Sequence, residues 1–398
     1  MGEPVSITYD IAIAGCGPAG LSAAVALHDD GHRVSLYDSL AAPEPIGSGL
    51  LLQPTGLAVA RSLGLESALR AFGTPVDRLF GLATPSHRVA LDVSYEALGE
   101  GAHGLGIHRG ALFQVLLNAV LEREIPFVTN FSASAVADAG DGRYRLMAAD
   151  GQRSEPCDLV VNAAGTHSPL SGGRRVPLRF GALWATLDWP DEGPFEPTWL
   201  QQRYRRAEVM IGVLPVGRIT QDGPRKATFF WSLEVDDYAR WQADRLDAWK
   251  SQVLEIWPDT ATLLAQIETQ DQMTLATYAH RTLWRPHAPG TIHIGDAAHS
   301  TSPQLGQGAN MALLDTAALR MALARHANLP AAQRSYARQR RFHMQLYQSM
   351  SLLLTPLFQS RGRLLPGLRD FLSKPVTYIP GVPWLLACAV AGKLGLFR

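Results

Sequence analysis

The chain has 398 residues, 46% hydrophobic and 18% charged, which suits a globular protein long enough for two cores. Its 36 Lys+Arg balance 36 Asp+Glu, so nothing favours a nucleic-acid partner. Three scattered cysteines (Cys16, Cys157, Cys388) make neither a disulfide framework nor a metal-ligand spacing, so no metal and a reducing cytoplasm are expected.

Tyr9-Asp10-Ile11-Ala12-Ile13-Ala14 reads as a buried parallel strand running into Gly15-Cys16-Gly17-Pro18-Ala19-Gly20. Leu21 to His28 continues as a helix with Gly31 near its C-cap, and Arg33 to Tyr37 is a second strand closed by Asp38. The same apolar run lacks a basic leader and is broken by Gly and Pro, against a signal peptide. This strand–turn–helix–strand context is what a dinucleotide fingerprint needs. Gly15 permits the tight turn, Gly17 lets backbone approach a pyrophosphate, and Gly20 lets the helix pack closely. Pro18 and Ala19 open the helix whose free N–H groups face the phosphates. Asp38 is spaced to accept from ribose hydroxyls. Cys16 reads as a small filler.

Gly47-Ser48-Gly49-Leu50-Leu51-Leu52-Gln53-Pro54 follows, then a helix over Gly56 to Ser62 and a turn at Leu63-Gly64-Leu65. Residues 75–105 are expected to cross into a second sheet. Ile107-His108-Arg109-Gly110 opens an amphipathic helix with Leu112, Val115, Leu116, Ala119 and Val120 on one face. Asp158 to Ala163 is another buried strand, ending at Gly165. Between Pro177 and Thr277 lie Trp184, Trp189, Trp199, Trp231, Trp241, Trp249 and Trp257, amid antiparallel-strand patterns at Ala207–Val213 and Lys226–Val235. Most of these tryptophans are expected in a core, and one or two in a ligand-facing wall.

The strand Thr291–Ile294 then runs into Gly295-Asp296-Ala297-Ala298-His299, where Asp296 can reach a ribityl or ribose hydroxyl. The Gly-rich loop Pro303-Gln304-Leu305-Gly306-Gln307-Gly308-Ala309-Asn310 leads into a helix starting near Asn310, whose N–H donors suit a reduced flavin ring. Residues 351–398 form an apolar, Pro-broken tail. Its segment Val382–Phe397 reads either as a packed helix or as an interfacial contact with a membrane or with a lipophilic substrate's entry path. No stretch of about twenty uninterrupted apolar residues is present, so no spanning helix is expected.

Together these segments resemble the class A flavoprotein monooxygenases of the para-hydroxybenzoate hydroxylase-like superfamily, over about residues 9–350. The resemblance implies an α/β fold with a Rossmann-like FAD-binding domain (1–74, 106–177 and 278–350), a mixed or antiparallel-sheet substrate domain (75–105 and 178–277) and a helical C-terminal tail (351–398). It implies FAD contacts by Gly15, Gly17, Pro18, Ala19, Gly20 and Asp38, by Arg109 on the flavin side, and by Gly295, Asp296, Pro303, Gly306, Gln307, Gly308, Ala309 and Asn310. Gln53 falls where the family's moving-flavin segment passes the isoalloxazine. The implied reaction is hydroxylation of an aromatic or electron-rich small molecule through a flavin C4a-hydroperoxide, with NAD(P)H reducing the flavin and O2 as oxidant. His299 is structural in such proteins. The catalytic base is not identified; Tyr204, Tyr278 and His280 are candidates. A monomer or homodimer is expected.

One departure stands out. Where the family writes Gly-Ala-Asp-Gly followed by Ser and Arg, this chain has Asn162-Ala163-Ala164-Gly165-Thr166-His167-Ser168-Pro169-Leu170-Ser171. Ala164 replaces the Asp and Ser171 the Arg, which puts nicotinamide handling in question, with Arg174 and Arg175 as substitutes for a phosphate contact. Two alternatives stand beside the main reading: a flavin-dependent reductase or dehydrogenase on the same fold, and an FAD-binding protein that has lost turnover.

Overall fold

The computed structural model describes residues 7–42 and 48–396; Gly47, which opens the Gly47–Pro54 segment, and Phe397, which ends the tail, lie outside them. A six-stranded sheet forms one half. Its order is His287–Ala288, Thr291–His293, Leu159–Asn162, Asp10–Ala14, Arg33–Tyr37, Phe127–Val128. All neighbours are parallel except the first pair. The expected strands at 9–14, 33–37 and 158–163 are all present, and Leu159–Asn162 alone separates the strand that leads to Gly15 from the one that leads to Gly295.

The helix Pro18–Asp29 starts three residues earlier than the apolar pattern suggested, with Pro18 at its first position, where fixed φ and a missing N–H cost nothing. It ends at Asp30, and Gly31 takes the left-handed conformation (φ 86°) just beyond. Leu21, Ala23, Ala24, Val25, Ala26 and Leu27 are fully buried, so this helix is a core element. Each such Leu or Val contributes roughly 1.5–3 kcal/mol. It packs against Gly308–Arg325 and Arg109–Glu122, and a buried Ser22–Thr316 hydroxyl pair (2.9 Å) pins the first contact.

A seven-stranded sheet forms the other half, in the order Thr274–Ala276, Phe180–Asp188, Lys226–Glu234, Val209–Gly217, Trp199–Arg205, Arg78–Ala83, Val89–Ser94. Only the Trp199–Arg205 and Arg78–Ala83 pair is parallel. Residues 78–94 do cross into this sheet, whereas Gly104–His108 pairs with Gly49–Leu52 on one side and Thr74–Val76 on the other in a small three-stranded sheet between the halves.

Strand alternation sorts the tryptophans. Trp189, Trp231, Trp241, Trp249 and Trp257 pack together on one face with Leu183, Ala185 and Phe229. Trp184 stands on the opposite face beside Phe230, Tyr204 and Met210, with ring centroids 4.8 Å apart from Phe230. Trp199 lies at neither centre; its ring is tilted against Phe80 under Arg78.

The helix Leu329–Phe358 runs across residue 350, and Leu364–Val376 and Val382–Val390 follow it. No helix among the described residues is long and apolar enough to cross a membrane.

Candidate cofactor and active site

The glycine turn is shaped by direct steric demands. Gly15 has φ 102°, and a Cβ there would sit 2.5 Å from the Ala163 carbonyl oxygen. A Cβ on Gly20 would lie 1.9 Å from the Gly15 carbonyl oxygen, so this glycine lets helix and turn meet. At Gly17 a Cβ would meet nothing within 4 Å, which leaves its backbone open to an incoming group. The Cys16 N–H donates to Asp38 Oδ2 (2.8 Å) and the Leu40 N–H to Oδ1 (2.9 Å), fixing the carboxylate at the strand end with lone pairs to spare. Burial pushes the Cys16 thiol pKa up, and the Asp38 charge adds to it, in keeping with an inert filler.

The second cofactor element meets the first. Gly295 adopts φ 58°, and a Cβ on it would be 3.0 Å from the Ala19 methyl. Asp296 is exposed, 3.4 Å from the Thr166 hydroxyl. The departure in the 162–171 loop now has a physical role. Asn162 Oδ1 accepts from Ser168 Oγ (2.8 Å) and from the Ala164 N–H (3.2 Å), while its amide reaches Ser171 Oγ (2.9 Å). Ser171 in turn donates to the Ala297 carbonyl (2.8 Å), so the residue in the Arg position ties the two loops together.

A buried charge network holds the Gly295 turn from behind. Asp315 accepts from the Gly295 N–H (2.7 Å), from His299 Nε2 (2.6 Å) and from Arg340 Nε (2.6 Å). All three side chains are almost wholly buried. Burial alone would raise the Asp315 carboxyl, but His299 and Arg340 beside it hold it down, at about 2. His299 is therefore structural, as the resemblance implied. Arg340 continues to His343 Nδ1 (3.0 Å), whose pKa burial and the guanidinium charge lower to about 4. A neutral His343 can accept there and donate from Nε2 to the Gly392 carbonyl (3.0 Å).

That last contact reaches the tail. At the end of Val382–Val390 and just beyond it, backbone carbonyls take side-chain donors. Tyr347 donates to Ala389, Gln307 Nε2 to Val390 (2.5 Å), Thr55 to Ala391 (2.7 Å) and His343 to Gly392. The inner end of the tail is thus a packed helix clamped onto the Gly306–Asn310 loop. Asn310 bonds Thr55 Oγ1 and Gln307 Oε1, both at 2.8 Å. The helix begins at Gly308, two residues before the expected start, and Gly306 supplies a left-handed residue before it (φ 60°).

The remaining expected residues fall around this loop. Gln53 is fully buried, accepts from the Tyr95 hydroxyl, and lies under Gly306, whose added Cβ would be 3.4 Å from Gln53 Nε2. Arg109 is exposed at the start of Arg109–Glu122, its N–H bound to the Ser48 carbonyl (2.9 Å); its guanidinium makes no hydrogen bond or ion pair among the described residues. Its charge is felt at Tyr278, whose hydroxyl accepts from Trp184 Nε1 (3.1 Å).

A flavin needs polar contacts, and several buried groups here lack a partner: Gln53 Nε2, Ser300 Oγ, Thr301 Oγ1, Ser302 Oγ, Gln304 Nε2 and Asn310 Oδ1. Buried polar atoms are costly without a partner, so the set fits a polar ring system seated against the loop. Open space in front of Gly17 and Gly308 fits the phosphates and the ring edge. Ser300, Thr301, Ser302, Thr55 and Asp315 were not singled out in the sequence. Only Asp315 left a signal, as a lone carboxylate inside the apolar run Met311–Leu319.

A family model described as "FAD binding domain" matches residues 8–348. The aurachin C monooxygenase/isomerase of Stigmatella aurantiaca is 25% identical over 344 residues, 82% of this chain and 83% of that protein. The FAD-dependent urate hydroxylase of Klebsiella pneumoniae subsp. pneumoniae is 25% identical over 340 residues, 82% of this chain and 85% of its own. Among solved structures, Klebsiella pneumoniae HpxO complexed with FAD and uric acid has a TM-score of 0.79 at 18% identity, covering 98% of this chain and 99% of that one. P. aeruginosa PqsL in complex with 2-aminobenzoylacetate has a TM-score of 0.78 at 21% identity, covering 91% and 100%. The glycine turn, the paired Gly295-Asp296 element and the family match over residues 8–348 lead to one assignment: the chain belongs to the FAD binding domain family and is an FAD-dependent monooxygenase.

Proposed function

We propose that this enzyme hydroxylates an electron-rich aromatic small molecule held between the Gly306–Asn310 loop and the sheet face bearing Trp184. The observation that carries this is the short segment Tyr278–Arg281, which links Trp184 to Ser300, where the chain turns toward that loop. Tyr278 meets Trp184 at one end, and the Arg281 N–H donates to the Ser300 carbonyl (3.0 Å) at the other. Gln348 braces the junction by donating to His299 (2.8 Å) and Ser300 (3.1 Å).

Bound FAD, reduced by NAD(P)H, supplies activated oxygen from O2 for transfer to the substrate. The chain's own residues then have distinct tasks in this reading. Gly15, Gly17, Pro18, Ala19 and Gly20 seat the pyrophosphate, Asp38 and Asp296 accept from cofactor hydroxyls, and Arg109 supplies positive charge on the flavin side. Gln53 and the free N–H groups at the start of Gly308–Arg325 stabilise negative charge on the ring. Trp184, Phe230 and Tyr278 exclude water.

A phenolic substrate must also lose a proton. Tyr204 is a poor base: its hydroxyl is buried, donates to Gln202 Oε1 (2.9 Å), and burial raises its pKa. Burial pushes Tyr278 up to about 12. His280 differs. Burial lowers its pKa, against a smaller upward pull from the nearby Gln348 side chain, and neither ring nitrogen is otherwise engaged. A neutral imidazole with a free nitrogen is the state a base requires near neutral pH, so His280 is the candidate of choice.

In the same reading the FAD-binding unit comprises 1–74, 106–177 and 278–350 and the substrate unit 75–105 and 178–277. The enzyme works in the cytoplasm as a monomer or homodimer, and its tail meets a membrane peripherally. The test is turnover with NADH or NADPH over a panel of phenols, quinolones and polycyclic phenols under isotopically labelled O2. Labelled oxygen in the product is expected. A reduced, unlabelled product would mean the reductase alternative, and substrate-independent NAD(P)H oxidation across the panel would mean lost turnover.

A further inference from the structure

The helix Leu364–Val376 is inside out. A helix on the surface of a water-soluble core turns its apolar stripe inward. Here Leu364, Leu365, Leu368, Phe371 and Leu372 point away from the protein, with Leu364 88% and Phe371 61% exposed. The inward face instead carries Arg369 and Ser373. Arg369 is buried, donates to the Leu357 and Arg206 carbonyls (2.8 and 2.9 Å), and lies over the rings of Tyr204 and Phe358. Ser373 donates to the Ala90 carbonyl (3.0 Å). These contacts lock the helix in this orientation, so the apolar face is presented, not merely left over. It continues through Tyr378 (74% exposed) and Ile379 to Trp384 (55%) and Leu385 at the start of the last helix. The inner end of that helix is clamped to the Gly306–Asn310 loop, so the platform is rigidly joined to the cofactor site.

Charge selects the occupant. The chain as a whole is neutral, yet residues 351–398 hold six Lys or Arg against a single acid, Asp370. Arg363 is exposed with no ion pair among the described residues, and Arg88 lies 5.6 Å from the Phe371 ring centre at the patch edge. Lys374, half-buried, and Arg361, largely exposed, pair with Asp92 and Glu234. A second copy docking by a two-fold axis would bring this cationic face against itself. An anionic bilayer offers the complement: acyl chains for the leucines and Phe371, an interfacial layer for Tyr378 and Trp384, and phosphates for the basic rim.

We propose that the Leu364–Leu385 platform docks the enzyme on the surface of an anionic lipid bilayer, without spanning it. This rests on the peripheral membrane contact of the proposed function, names its surface and lipid, and is independent of which aromatic compound the enzyme oxidises. It sets the Tyr204–Phe358 end of the substrate-facing surface one side chain, Arg369, away from the lipid.

The experiment is co-sedimentation of the full-length, FAD-loaded protein with phosphatidylcholine vesicles, with and without phosphatidylglycerol. Binding is expected to be strong only with phosphatidylglycerol and to fall with added salt. Leu368→Ser combined with Phe371→Ser alters two exposed side chains and should lower the vesicle partition coefficient at least tenfold with FAD content and melting temperature unchanged. As a second reading, phosphatidylcholine brominated on its acyl chains, mixed into these vesicles, should quench the emission that is lost in Trp384→Phe. Failure to sediment with either vesicle, or a dimer in solution that the double variant dissociates, would overturn the proposal.

Discussion

Replacing Asp315 with Asn should cost about 3–5 kcal/mol of stability at neutral pH, because it leaves the Arg340 guanidinium buried beside His299 with no counter-charge. Asn keeps the size of the side chain and can still accept from the Gly295 N–H, so the loss reports the charge and not a cavity. The wild type should also show the group's own acid dependence. The Asp315 carboxyl is held at about 2 against its ordinary 3.8. A folded pKa below the unfolded one means the contribution is full above about pH 4 and is lost as pH falls toward 2. The amount at stake is on the order of 2 kcal/mol. Urea unfolding of both proteins between pH 7 and pH 3 checks this. The variant should be much weaker at pH 7 and should decline less steeply below pH 4. Equal stabilities at pH 7 would show that the network does not hold the turn.

Gly20→Ala should be nearly as damaging, for a steric reason. The added methyl would lie 1.9 Å from the Gly15 carbonyl oxygen and 3.0 Å from its carbonyl carbon, and backbone cannot rotate away as a side chain could. Helix Pro18–Asp29 must move off the turn, at about 1–3 kcal/mol for a single buried methylene and more if the glycine turn opens. The pyrophosphate cradle is distorted by the same movement. FAD per protein chain, read from the visible to ultraviolet absorbance ratio, should fall at least tenfold, together with the melting temperature. Full FAD content and an unchanged melt would contradict the close approach.

These two sites differ in how far the sequence reveals them. Gly15, Gly17 and Gly20 fall within one short turn between a strand and a helix, so their spacing was enough to place them. Asp315 was visible only as a carboxylate among apolar residues. Its partners Arg340 and His299, and the onward link through His343 to the Gly392 carbonyl, join segments that periodicity cannot relate. Trp184 could not be separated from the other tryptophans because Phe180–Asp188 is buried on both faces over most of its length, which removes the in–out alternation. The tail was legible as apolar, but not which of its residues face inward. Val390 to Gly392 pack and cap the cofactor loop, while Leu364–Leu385 turns its apolar face out. The 162–171 loop shows a further limit. Ser171 looked like a missing arginine, and only the Ala297 contact shows what it holds together.

In the proposed reading the Gly15–Gly20 turn and the Gly295–Asp296 turn, far apart in sequence, make one FAD site. The most direct measurement is the FAD dissociation constant of apoprotein carrying Gly17→Ala or Asp296→Ala, by flavin fluorescence titration beside the wild type. A Cβ at Gly17 meets nothing within 4 Å, and Asp296 is exposed, so neither change should alter the melting temperature of the apoprotein. The account predicts that each weakens FAD binding by about tenfold to a hundredfold, the loss of roughly 1.5–3 kcal/mol of charged or close backbone contact. Wild-type affinity in either variant would contradict it, by removing one end of the chain from the site.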